Sequence, residues 1–229
     1  MIQHRNHMRN RGFTIIELML AMAFVSLLLL SIAITVMQVG AIYNKGVTLK
    51  SVNQAGRIII TDMKRTIGDS QVFDVGRATT YSSQDRGGRL CTGTYSYIWN
   101  IGRYEDLYKY SGSSNPGKPI RLLKIKDNGG QSCISTSSNI NFDSAKMTEL
   151  LSVGDLAVQD FRINGLTNDA ATGRALYNIE ITISNAETAA IIETVSPQCK
   201  PPSQDATYQN YCAVNKFVFT AQADDKGGR

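Results

Sequence analysis

Residues 9–42 read RNRGFTIIELMLAMAFVSLLLLSIAITVMQVGAI, and from Leu18 to Asn44 no side chain is charged. A run of this length crosses the ~30 Å hydrocarbon core of a bilayer as a helix, for which ~20 apolar residues suffice. It is longer than the roughly 7–15 residues of a secretory signal core, and no small-x-small cleavage site follows it. Arg5, Arg9 and Arg11 precede it, which puts that end on the cytoplasmic side. The anomaly is Glu17. A carboxylate deep in a membrane helix costs about 2.5–3.5 kcal/mol, less near the interface, so it calls for a partner. Removal of the basic leader would create a cationic α-amine on Phe13. Phe13 and Glu17 would then stand at i and i+4, on one helix face.

Arg-Gly-Phe-Thr-Ile-Ile-Glu-Leu-Met-Leu-Ala-Met-Ala at 11–23 closely resembles the prepilin signature of type IV pilins and type II secretion pseudopilins. The resemblance covers about residues 9–45. It implies a membrane peptidase that cuts between Gly12 and Phe13 and methylates the new N-terminus of Phe13. It also implies that Glu17 guides docking of the subunit into a filament. The partners implied are the prepilin peptidase, other pilin or pseudopilin subunits, the membrane assembly machinery and membrane lipid. The location implied is a single pass through the inner membrane with the head outside the cytoplasm, then a pilus or pseudopilus. A plain single-pass anchor would account for the apolar run but not for the Gly12-Phe13 junction or for Glu17.

The organisation that follows is a basic leader at 1–12, a transmembrane or filament-core helix at 13–44, an amphipathic outer half at 45–70 and a β-rich head at 71–229. In the outer half Val52, Ala55, Ile59, Met63 and Ile67 repeat at helical spacing, with Lys50, Arg57, Asp62, Lys64 and Arg65 on other faces, so one stripe is expected to be buried. One helix from Thr14 to about Ile67 is expected, near 80 Å at about 1.5 Å per residue. Gly40, Gly46 and Gly56 interrupt it, each costing about 0.5–1 kcal/mol against Ala. A hinge at Gly40 and Gly46 and simple tolerance within a supported helix both remain open.

Gly68-Asp69-Ser70 supplies a stop. Strands are expected at 71–75, 96–101, 107–110, 120–126, 156–163, 175–184 and 216–222 from β-branched and aromatic content. In the sixth, Tyr177, Ile179, Ile181 and Ile183 alternate with polar residues and should face the core. Segments 79–89, 111–118, 129–141 and 164–173 read as surface loops. The fold class expected is α+β, a long N-terminal helix packed on an antiparallel sheet head, the type IV pilin fold that the resemblance implies. The apolar segments 150–163, 175–184 and 217–220 are similar in order to those of larger minor pilins and J-type pseudopilins.

Composition narrows the function. The formal charge of +5 falls to +2 without Arg5, Arg9 and Arg11. No basic run interleaved with aromatics builds a phosphate groove, which disfavours a nucleic-acid partner. Cys91, Cys133, Cys199 and Cys212 all follow the apolar run, in a compartment that permits disulfides. More than one connectivity is possible. Cys199 and Cys212 close a short polar loop, the most economical pairing, and leave Cys91 with Cys133. Free thiols are the alternative, whereas zinc and redox chemistry lack a Cys-x-x-Cys pair. Both histidines lie at or before His7, so Ser-His and Cys-His catalysis is not expected, nor are a metal or cofactor. Asp127-Asn128 and Asp224-Asp225 lack the calcium-loop pattern and read as solvated turns. Tyr95, Tyr97, Trp99, Tyr104, Tyr108 and Tyr110 read either as an adhesive patch or as buried strand side chains. The function expected is a minor pilin or pseudopilin. A membrane-anchored binding module acting outside a filament is the alternative.

Overall fold

The computed structural model describes residues 13–81, 86–102, 107–111, 116–127, 129–135, 137–141, 143, 145–152, 155–169, 173–185, 190–192, 197–201, 203–204 and 211–224. In chain order the elements are α1 (Ile15–Gly68), α2 (Val75–Ala78), β1 (Thr79–Tyr81), β2 (Gly87–Cys91), β3 (Tyr95–Asn100), β4 (Lys109–Ser111), β5 (Leu122–Lys126), α3 (Gln131–Ile134), β6 (Asn139–Asn141), β7 (Met147–Glu149), β8 (Leu156–Asp169), β9 (Arg174–Asn185), β10 (Ile191–Ile192), β11 (Gln198–Cys199) and β12 (Val214–Asp224). The fold is α+β, a long N-terminal helix followed by a head of sheets. Two compact units are present, Met1–Tyr43 and Asn44–Arg229.

In the second unit the sheets run β1-β2-β3-β5-β7 and β12-β9-β8, with two-stranded pairs β10-β11 and β4-β6. All pairings are antiparallel except β4 with β6. The stripe of α1 supplies one wall of the core: Val52, Ile59, Met63 and Ile67 are fully buried in one cluster with Tyr177, Ile179, Ile181 and Ile183 of β9, Trp99 of β3 and Phe161 of β8. The alternation along β9 thus selects the core face, while Thr182 and Ser184 are buried on the other face as well.

A polar clasp fixes the helix over β3 and β5. Asp62 accepts hydrogen bonds from the Tyr97 hydroxyl at 2.9 Å and Lys124 Nζ at 2.7 Å, and Lys124 also donates to Thr66 Oγ1 at 2.8 Å. The Lys124 ammonium lies 4.4 Å from the Tyr95 ring centroid, a cation–π contact that adds to the ion pair. Burial, and then the charge of Asp62, push the Tyr97 phenol up from its ordinary value, so it stays a donor. On the other side Gly56 is buried because the Phe217 ring occupies the space of its absent side chain. A Cβ there would lie 2.2 Å from Phe217 Cζ.

Several expectations are corrected. Segment 71–75 is no strand: Phe73 stacks on Tyr177 at 4.2 Å and exchanges backbone hydrogen bonds with its hydroxyl, and Asp74 then caps α2 through Gly76 N–H. Segment 79–89 is not all loop, since it contains β1 and the start of β2, whose five residues are all buried. A Cβ at Gly88 would lie 2.4 Å from the Trp99 ring, and one at Gly87 2.4 Å from the Trp99 carbonyl oxygen. These glycines are packing residues in a strand, not turn formers. Within 129–141 lie α3 and β6, and β8 continues through polar residues to Asp169. The long helix begins at Ile15, one residue later than expected.

Candidate functional site

The start of α1 is built by Thr14 and Glu17. Thr14 is the residue before the first helical turn, and its Oγ1 accepts from Glu17 N–H at 3.3 Å. The Glu17 carboxylate reaches back to accept from Thr14 N–H and Thr14 Oγ1, both at 3.0 Å. This reciprocal arrangement is a capping box, which satisfies backbone donors that a helix start leaves without intrahelical partners. The Thr-x-x-Glu spacing ahead of an apolar run is its sequence signal, although a charge in such a run points first to a distant partner. Glu17 therefore has a partner within its own chain. Phe13 stands just ahead of the helix, which begins at Ile15 in the uncleaved chain. Gly12 lies outside the described residues, and so does the leader.

Every residue from Phe13 to Gly40 is exposed. The helix carries apolar residues around its whole circumference, a pattern that suits a membrane span or the inside of a packed assembly. Its few hydroxyls are already turned inward: Ser26, Ser31 and Thr35 donate to the carbonyls of Met22, Leu28 and Ser31 at 2.8 Å each. Polar groups satisfied within the helix suit a medium without water. This helix is long and apolar enough to cross a membrane.

The structure brings Cys91 to Cys133 and Cys199 to Cys212, with Cα separations of 6.1 and 5.8 Å. The first bridge ties β2 to α3, and the buried Arg89 guanidinium donates to the carbonyls of Ser132, Ser135 and Ser137 around it. Asp127 is likewise no solvated turn residue. It is buried and accepts from Ser96 Oγ at 2.7 Å, Ser132 N–H at 2.7 Å and Gln131 N–H at 3.0 Å. Burial alone would raise its pKa, but these hydrogen bonds outweigh it and hold the carboxyl below its ordinary value. Asp224 pairs with Arg174 at 3.3 Å, and Asn128 and Asp225 lie outside the described residues.

The aromatic stretch is resolved in favour of burial. Tyr97, Trp99, Tyr108 and Tyr110 are all buried, Tyr95 is half-buried against Lys124, and Tyr104 lies outside the described residues. Among the described residues they form no exposed adhesive patch. No family model, no curated protein and no solved structure matches this chain.

Proposed function

We propose that the chain is a filament subunit of the type IV pilin and pseudopilin class, specifically a minor subunit that enters or primes an extracytoplasmic fibre. The observation that carries this reading is the junction itself: Arg11-Gly12-Phe13 lies immediately before a helix that starts at Ile15 and remains apolar on every face to Gly40. Cleavage at that junction would leave the apolar helix at the new N-terminus. The hydroxyls of Ser26, Ser31 and Thr35 bond the helix's own carbonyls, so they need no new partners when the helix leaves lipid for a bundle of like helices. The sheet head on the outer half of α1 and the two disulfides suit an extracytoplasmic location. The size of the head, about 160 residues, supports a minor subunit.

The capping box favours a second reading, a membrane-anchored module outside any filament, because it gives Glu17 a role that needs no neighbour. Glu17→Gln separates the two. Glutamine keeps the capping hydrogen bonds but removes the charge that would meet the Phe13 amine of an adjacent subunit. The filament reading expects a mature protein that has lost residues 1–12 and gained a methyl group in intact-mass analysis. It also expects Glu17→Gln to be cleaved and inserted normally yet to be depleted from sheared fibres. A full-length species beside an active prepilin peptidase, or absence of the parent chain from sheared fibres, supports the anchor instead; normal incorporation of Glu17→Gln would remove only the docking role of its charge.

A further inference from the structure

We infer that the free edge of β12, together with the basic stripe of α1 beside it, receives an extended acidic segment of a partner protein as an added strand. The inference does not depend on the filament reading. Among the described residues β12 has β9 as its only neighbour, paired over eleven positions without a register shift. The opposite edge of the same sheet, β8, carries shifts at Val158/Asp160 and Gly165/Thr167. Bulges of that kind discourage further pairing, and a long regular edge invites it.

The direction of the open groups follows from the ladder. Asn185 N–H donates to the Ala213 carbonyl at 3.3 Å, so odd residues from Ala213 onward pair with β9 and even ones turn their backbone groups outward. Among the even residues of β12, Lys216, Val218, Thr220 and Gln222 are exposed, and Val214 and Asp224 at the two ends are half-buried. Lysine at an edge normally repels an incoming strand, but Lys216 Nζ is drawn onto the sheet by Glu180 at 2.6 Å. Val218 at the centre is 57% exposed.

Charge selects the occupant. Lys50, Arg57 and Lys64 recur every seventh residue along exposed α1, forming one stripe on the side of the helix that meets β12. Asn215 bonds Asn53 at 2.7 Å there, and the Lys64 ammonium lies 5.9 Å from the Phe219 ring centroid. Among the described residues no carboxylate pairs with any of the three. A strand laid along β12 would turn alternate side chains toward this stripe, so acidic residues at every second position fit, with apolar ones over Val218. A bilayer or a nucleic acid answers the positive charge but offers nothing to alternating N–H and C=O groups.

The test uses the full chain in neutral detergent and a labelled heptapeptide of alternating Glu and Val. Controls are a peptide of the same composition with its residues in blocks and an alternating Lys and Val peptide. The alternating acidic peptide should bind and both controls should not. Val218→Pro removes an outward N–H that the β9 ladder does not use. It should weaken binding about tenfold, the order set by one or two backbone hydrogen bonds. Reversing the stripe with Lys50→Glu, Arg57→Glu and Lys64→Glu should transfer preference to the Lys peptide, which keeps the inference testable if the proline variant misfolds. Equal binding of alternating and blocked acidic peptides overturns it, as does binding insensitive to both sets of changes. Preferential capture by anionic vesicles that Val218→Pro leaves intact would also overturn it by assigning the stripe to lipid.

Discussion

From Ile15 to Gly40 helix α1 exposes every residue it has, whereas from Lys50 to Ile67 it buries a stripe and shows solvent a face of Lys50, Gln54, Arg57, Thr61 and Lys64. The backbone is helical in both stretches, so the difference lies in where apolar residues recur. When they occupy every face, the helix has no inside, and its stability depends on the surrounding medium. When they recur along one stripe, the sheet covers that stripe and the head becomes the source of stability. Side-chain truncations should therefore act on different observables in the two stretches. Trp99, the only tryptophan and almost fully buried against Phe161, reports unfolding of the head.

Ile59→Ala makes the largest expected change. A fully buried side chain in a closed core loses about 2–5 kcal/mol on truncation to Ala, and the Trp99 denaturation midpoint of the full chain in detergent should fall accordingly. Leu28→Ala should leave that midpoint unchanged and act only on membrane or fibre retention. A shift from Leu28→Ala as large as that from Ile59→Ala would erase the distinction between the two stretches.

Next is removal of the Cys91–Cys133 bridge. Closing a loop over a sequence separation of 42 residues limits the unfolded chain by about 4 kcal/mol on the entropic model. The Cys199–Cys212 bridge, at a separation of 13, gives about 3 kcal/mol. Paired Cys→Ser variants should rank in that order by the Trp99 midpoint. The reverse order would locate the stability of the head near the β10-β11 pair.

Acid should act on the head through Asp127. Its pKa is lowered in the folded state, so its contribution is fully present above the ordinary carboxylate value of about 3.9. That contribution is lost as pH falls through the lower folded value. Asp127→Asn should cost about 1–3 kcal/mol at neutral pH through imperfectly satisfied buried donors. The same change should reduce the loss of stability between neutral pH and the acid range. An acid limb identical to that of the parent chain would assign the pH dependence to other carboxylates.

Much of this contrast is legible in the residues. The stripe Val52, Ile59, Met63, Ile67 and the alternation Tyr177, Ile179, Ile181, Ile183 mark buried faces because period and chemistry agree. Legibility fails where a residue type has two uses. Gly87 and Gly88 lie in a segment that reads as a surface loop but make room for Trp99 within a strand. Asp127 reads as a turn residue but anchors the start of α3 from a buried position. The mainly polar segment 164–169 conceals the end of β8, where backbone pairing with β9 continues beyond the hydrophobic alternation. Glu17 was legible as an anomaly. Its immediate partner, Thr14, was obscured because a charge in an apolar run directs attention to distant partners before local ones.

The smallest expected effect comes from two glycines of α1. At Gly46 an added Cβ meets nothing within 4 Å, whereas at Gly56 it meets the Phe217 ring. Gly46→Ala should gain about 0.5–1 kcal/mol of local helix stability, read as slower amide exchange around residues 44–50. Gly56→Ala receives the same propensity gain but must displace a ring packed against the core, and overpacking costs about 1–3 kcal/mol. The net expectation is a loss of about 1 kcal/mol in the Trp99 transition. Adding Phe217→Leu to Gly56→Ala should recover part of it, because the offending ring atoms are removed while the strand stays apolar. If Gly46 is also a hinge, its replacement by Ala should slow passage into fibres even as it stabilises the helix. Equal gains at both glycines would mean that Phe217 yields freely, and the tight approach of α1 to β12 would not account for the glycine at 56.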